Sequence, residues 1–276
     1  MALVNLSRML QDARENSYAV ANFTLFNEEM MRGTVLAAEA LRAPVIVAYA
    51  EVFEALIPME LFMPMLLEQA RAASVPVAVH LDHARSIDYV KKAIDNGFTS
   101  IMIDASDLPL EENIKTTQAV VTLCEPHSIS VEAELGYVGG LDGYSYEGDG
   151  YTSVEEAIRF TQETGVNALA VSVGTVHGVY KSEPVLQLER LAELKAAIDT
   201  PLVLHGGSGL SDQDFRNVIA GGIAKLNIYT DLMLRAAEEM KGHESKTYLD
   251  KCIAAAGAIQ DESEKKIRLF GSDGKA

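Results

Sequence analysis

The stretch V-H-L-D-H-A, residues 79–84, ends an apolar run with two histidines flanking an aspartate, and strand packing does not call for them. A strand buried on both faces reads as a continuous apolar run, so His80, Asp82 and His83 stand there for another purpose. His80 and Asp82 share the parity of one strand face, while His83 begins the following loop. His177 and His205 lie further along, each in a glycine-rich loop. Histidines and carboxylates drawn from separate strand ends suit a divalent metal with three protein ligands and one open position. His83, His177 and His205 make the best trio, with His80 orienting a neighbour. His127 and His243 fall in polar connections and are expected to be solvent-exposed and uninvolved.

His205 also opens H-G-G-S-G, residues 205–209. Glycines let backbone N–H groups approach an anion closely, and the loop runs into a helix whose N-terminus favours negative charge. In closed parallel barrels phosphate is often held by the loops after the seventh and eighth strands. Gly206, Gly207 and Ser208 therefore form one half of a cradle, and Asn227, Ile228, Tyr229 and Thr230 the other. Such a cradle beside a metal explains how a chain of formal net charge −17 holds an anionic substrate. The same charge argues against nucleic acid or anionic membrane as partners.

These groups need a frame, and the chain supplies a repeating one. Apolar, β-branched runs at 18–22, 44–50, 76–81, 100–104, 130–135, 168–174, 201–204 and 225–228 alternate with amphipathic segments at 28–41, 60–73, 87–96, 110–124, 154–164, 188–197, 212–220 and 231–240. Ser86, Ser153 and Ser211 stand as N-caps, Gly97 and Gly165 just past helix ends. Eight βα units predict an α/β (β/α)8 TIM barrel, one domain over 1–276, with an extra helical tail at 245–267. No G-x-G-x-x-G follows the first strand, which disfavours an open dinucleotide-binding sheet. Set against this frame, His83, Glu132, Glu134, His177, His205 and Asn227 all fall at C-terminal strand ends, the face on which barrel sites are built. The loop 136–151, with six glycines and four tyrosines, reads as a lid or binding loop. The N-terminus lacks a secretory signal pattern, no apolar run is long enough to span a membrane, and Cys124 and Cys252 imply no disulfide framework. A cytoplasmic setting is the expectation.

Five motifs carry a resemblance: H-L-D-H-A at 80–84, V-E-A-E-L-G at 131–136, G-T-V-H-G-V-Y-K at 174–181, L-H-G-G-S-G at 204–209 and K-L-N-I-Y-T at 225–230. In order and spacing they resemble the zinc-dependent class II ketose-bisphosphate aldolases, over nearly the whole length. The resemblance implies reversible cleavage of a ketose 1-phosphate or 1,6-bisphosphate to dihydroxyacetone phosphate and an aldehyde, with zinc stabilising the enediolate. It implies His83, His177 and His205 as zinc ligands, Glu134 as a carboxylate at a second or displaced ion, and Asp82 as the acid/base on the C4 hydroxyl. Gly178, Lys181, Gly206, Gly207, Ser208, Asn227, Ile228, Tyr229 and Thr230 match the surroundings of the triose phosphate. Val176, Gly178, Gly206 and Ser208 fall where some members hold Na+ or K+. The C3 proton is assigned in the family to a loop acid, here Asp142, with Glu147 and Asp149 as rivals.

Two positions depart from the family pattern. Tyr229 stands where fructose-bisphosphate members often have Asp, and Ala50 where they often have Ser, so the aldehyde end is expected to be rebuilt and the substrate to lack a second phosphate. A class I aldolase would need a strand-borne Schiff-base lysine; Lys225 is the one candidate, and a strand-start position near the barrel bottom is the simpler expectation for it. A metal-dependent sugar-phosphate isomerase or epimerase, or a noncatalytic subunit of an aldolase complex, are the alternatives. A homodimer or homotetramer is the expected assembly, with a noncatalytic companion chain as a further partner.

Overall fold

The computed structural model describes residues 2–139, 150–180, 182–243 and 247–276. Eight parallel strands pair side by side: β2 (Val20–Thr24), β3 (Val45–Ala50), β4 (Val77–Ala84), β5 (Ser100–Ile103), β6 (Ser130–Leu135), β7 (Ala168–Val171), β8 (Leu202–Leu204) and β9 (Ile223–Ile228). β9 pairs back onto β2, and the sheet closes into a barrel. Each strand is followed by its helix: α2 (Glu28–Ala40), α3 (Met59–Ala72), α4 (Ile87–Asp95), α5 (Leu110–Cys124), α6 (Val154–Thr164), α7 (Leu188–Ala197), α8 (Asp212–Ala220) and α9 (Thr230–Gly242). The expected (β/α)8 architecture is therefore the observed one, and α10 (Tyr248–Phe270) is the extra C-terminal helix. α10 packs on α2 and α9, and a Cβ on Gly33 of α2 would lie 2.6 Å from the Ala256 carbonyl oxygen, so only glycine admits so close a crossing.

Two elements precede the first predicted strand. β1 (Leu3–Val4) pairs with the start of β4, and α1 (Leu6–Glu15), capped by the Asn5 side chain, follows it. Leu6, Met9, Leu10 and Ala13 of α1 recur at helical spacing and pack with Val20, Ile46, Ala78, Met102, Ala168, Val203 and Ala224 from the barrel strands. That cluster forms an apolar floor across the N-terminal end of the barrel. Alternate strand residues such as Phe23, Val47, Val79, Ile101, Val131 and Leu169 instead join the core shared with the surrounding helices.

Above the floor the interior turns polar. Along β6 the pattern S-V-E-A-E-L sends Val131, Ala133 and Leu135 into the helix-facing core, while the intervening Ser130, Glu132 and Glu134 are buried on the other face. His80, Ser100, Glu132 and Lys225 are all fully buried. Lys225 is thus no strand-start residue at the barrel bottom: it is the third residue of β9 and its ammonium reaches Glu132 inside the barrel.

Candidate functional site

β4 runs through Ala84, three residues beyond the predicted end of the apolar run at 81, so His83 lies within the strand rather than opening a loop. Its φ of 52° and the register shift between Leu81 and Ala84 against β5 mark an irregularity in the ladder. A left-handed histidine is a strained choice unless its surroundings hold it there. Here the irregularity turns consecutive side chains, Asp82 and His83, toward one centre, with His83 Nε2 3.9 Å from Asp82 Oδ1. A regular strand would send them to opposite faces.

Three imidazoles meet at that centre. Ring centroids of His83 and His205 are 4.7 Å apart, those of His83 and His177 5.0 Å, and those of His177 and His205 5.7 Å. One nitrogen from each lies within 4.8 Å of the others. The opposite nitrogens of two rings are engaged: His83 Nδ1 lies 2.9 Å from Asp104 Oδ2, and His205 Nε2 lies 2.9 Å from Glu132 Oε1. Carboxylates in those places fix the tautomer and present His83 Nε2 and His205 Nδ1, 3.0 Å apart, to the centre. His177 arrives on the loop after β7, where its backbone N–H donates to the Gly139 carbonyl at 2.7 Å. The donor set and the orienting carboxylates fit a zinc-type divalent ion. A second grouping of His83, Asp104 and Glu134 shares one ring with the first.

Electrostatics sort these groups by role. Burial would raise the Asp82 carboxyl, but the charge of His83, then of His205 and Lys225, outweighs it and holds the group below the ordinary carboxylate range. Thr24 Oγ1 donates to Asp82 Oδ2 at 3.2 Å, and Asn227 Nδ2 to Oδ1 at 3.3 Å, so both oxygens are held. Burial would lower His83, yet Asp82, Asp104 and Glu134 push it up to about 9. Burial, reinforced by His83 and Lys225, keeps His205 well below its usual value. Glu134 goes the other way, burial and the Asp104 carboxylate pushing it up to about 8. Asn22, register-paired with Asn227, has both side-chain amide atoms buried without a hydrogen-bond partner, and the Asn227 oxygen is in the same state. Unmet amides facing a polar interior are capacity for a polar ligand.

The H-G-G-S-G loop runs along the same mouth. Gly206 has φ of 67°, and a Cβ there would fall 2.4 Å from the Val176 carbonyl oxygen, which sets the His177 loop directly against it. Tyr180 donates its hydroxyl proton to the Gly206 carbonyl at 2.7 Å. Gly207 N–H donates to the Asn227 carbonyl at 3.2 Å, and Ser208 Oγ accepts from the N–H groups of Tyr229 and Asp231. The two halves of the expected cradle are therefore bonded to each other, and some of their amides are already engaged. The Ile228 side chain belongs to the helix-facing core, so its backbone alone faces the mouth. The Tyr229 ring packs 5.6 Å from Phe53, which sits 5.5 Å from Phe26.

Other expected site residues lie elsewhere. Asp142, Glu147, Asp149 and Lys181 fall outside the described residues. His80 lies below the centre with Nδ1 2.6 Å from Ser100 Oγ, so its orienting contact is to neither Asp82 nor His83. His127 is exposed as expected, whereas His243 is half-buried against Glu239. Sequence reasoning missed Thr24, which lies past the predicted end of its strand, and gave no role to Asp104 or Glu132. An acid ending an apolar run was the available signal for Asp104.

Comparison with known proteins places these features in a wider set. The family model for "Fructose-bisphosphate aldolase class-II" matches residues 4–275. An uncharacterized protein of Escherichia coli (strain K12), YdjI, is 41% identical over 96% of this chain and 96% of its own length. The 6-phospho-5-dehydro-2-deoxy-D-gluconate aldolase of Halalkalibacterium halodurans is 38% identical over 100% of this chain and 99% of its own. The X-ray crystal structure of the YdjI aldolase from Escherichia coli K12 superimposes with a TM-score of 0.92 at 39% identity, covering 99% of each chain.

Proposed function

Given that this chain belongs to the class II fructose-bisphosphate aldolase family and is an aldehyde-lyase, we propose that it reversibly cleaves a ketose 1-phosphate to dihydroxyacetone phosphate and an aldehyde. The convergence of His83, His177 and His205 beside a buried, doubly held Asp82 carries the proposal. These three histidines would hold the zinc ion, with Glu134 and Asp104 beside His83 as a neighbouring ion position. Bound there, zinc supplies Lewis-acid polarisation of the substrate carbonyl.

Asp82 takes the proton from the C4 hydroxyl as the C3–C4 bond breaks, and returns it to the aldehyde oxygen in condensation. Its ionised state suits the first task, and Thr24 and Asn227 aim both of its oxygens. The electron pair of the broken bond stays with the triose half, where a proton delivered to C3, with Asp142 as its donor, completes dihydroxyacetone phosphate. Gly178, Lys181, Gly206, Gly207, Ser208 and the backbone from Asn227 to Thr230 surround the triose phosphate, and the α9 N-terminus adds its favourable field.

At the aldehyde end, Ala50 ends β3 opposite Asp82, and the Phe26–Phe53–Tyr229 cluster lies beside it. Glu51 adds a carboxylate, and Arg85 is paired with Asp104 and Asp107. An aromatic wall with an acid offers a second phosphate little, which supports a monophosphorylated substrate. A screen of ketose phosphates coupled to detection of dihydroxyacetone phosphate tests this. The expected result is faster turnover of a 1-phosphate than of fructose 1,6-bisphosphate, lost with a chelator and restored by zinc. Equal or better turnover of the bisphosphate than of every monophosphate sinks the substrate assignment, and covalent trapping by borohydride sinks the metal-dependent one.

A further inference from the structure

Beneath the histidine cluster sits an ion pair that the proposed reaction does not touch. Lys225 on β9 places Nζ 2.9 Å and 2.8 Å from the two carboxylate oxygens of Glu132 on β6, and both side chains are fully buried. His80 Nε2 lies 3.5 Å from the same ammonium, and Ser100 holds the other side of that ring. A buried ion pair is a poor source of stability, since removing two charges from water offsets most of their attraction. The geometry shows another use for it. Glu132 Oε1 is shared between Lys225 and His205 Nε2, so the carboxylate that anchors the lysine also takes the outer N–H of one histidine. Its opposite nitrogen, Nδ1, is thereby turned toward His83. Deprived of Lys225, Glu132 would be an uncompensated carboxylate in a dry interior and would no longer be held at a fixed angle to the imidazole. Lys225 is also too enclosed, and too firmly paired, to meet a carbonyl substrate as a Schiff-base former.

We propose that the Lys225–Glu132 pair is the positioning device for His205: Lys225 anchors the carboxylate, and the carboxylate fixes which nitrogen His205 offers and at what angle. The inference rests on the metal-binding assignment of the three histidines. Zinc affinity, read by competition with a chromogenic chelator on full-length protein, tests it without recourse to turnover. Orienting partners of metal-bound histidines are each worth about 10- to 100-fold in affinity, so Lys225→Met is expected to bind zinc weaker by roughly that factor. Glu132→Gln combined with Lys225→Met should recover most of the loss, because the amide oxygen still accepts from His205 and no buried charge is left alone. Glu132→Leu combined with Lys225→Met keeps neither and should stay weak; the comparison of the two double variants decides the matter even if Lys225→Met alone fails to fold. Equal affinity in the two double variants, or wild-type affinity in a folded Lys225→Met, overturns the positioning role while leaving the metal site standing. A wild-type protein that binds no divalent metal overturns both.

Discussion

Asp82 is kept ionised against its own burial by the charges around it, and that balance makes its substitution informative. Asp82→Ala should retain zinc while losing turnover by about 10²- to 10⁴-fold, the usual worth of a positioned acid/base; His83→Ala should lose the metal as well. Metal content and kcat measured on the same preparations check the pair, and wild-type activity in Asp82→Ala would exclude it as proton carrier. Thr24 touches no substrate group in this scheme but holds one Asp82 oxygen. Thr24→Val removes one hydrogen bond of about 0.5–1.5 kcal/mol, so kcat should fall by up to about tenfold with KM nearly unchanged. The three histidines that converge, His83, His177 and His205, were legible as a group in the sequence because each stands in an otherwise apolar or glycine-rich context. Thr24, Asp104 and Glu132 were not assigned, because contacts between strands distant in the chain leave no spacing to read.

Among the elements, the loop after β8 is tightly constrained. Gly206→Ala would combine a left-handed backbone with a Cβ driven into the Val176 carbonyl, so the His177 loop must shift. Weakened zinc binding and a raised KM for dihydroxyacetone phosphate in the condensation direction are expected, against little effect of Gly165→Ala on either, since a Cβ there meets nothing within 4 Å. The alternation of strands and helices was read correctly from periodicity and caps, but two features escaped. α1 carries a complete amphipathic signature after the Asn5 cap, yet the strand pattern was begun only at Tyr18. Glu132 and Glu134 were read as polar residues at a strand end, but that the face they share is wholly buried escaped for a different reason. Period-2 alternation ordinarily means one face in water, and a barrel that encloses a reaction hides its polar face instead.

For the molecule as a whole, acid stability should depend on a group outside the histidine cluster. Glu54 accepts from Tyr49, Tyr89 and Lys92, joining β3 to α4. Burial would raise its carboxyl, but the bonds from Lys92 and Tyr89 outweigh that and bring it down to about 2. A folded-state value below the ordinary 4.5 means that its contribution is fully present above that pH and fades as pH falls toward 2. Glu54→Gln should therefore lower the urea midpoint at neutral pH, and the gap to wild type should narrow across that acid window. The apolar floor built by α1 carries one more consequence. Backed by that floor, the fully buried Lys225–Glu132 pair is shielded from dissolved ions, whereas Arg159 and Glu111 meet them directly on the surface. Screening acts on exposed charges over about 10 Å at 0.1 M salt. The surface pair should fade as ionic strength rises, while the ratio of zinc affinities between wild type and Lys225→Met should be the same in dilute buffer and in brine.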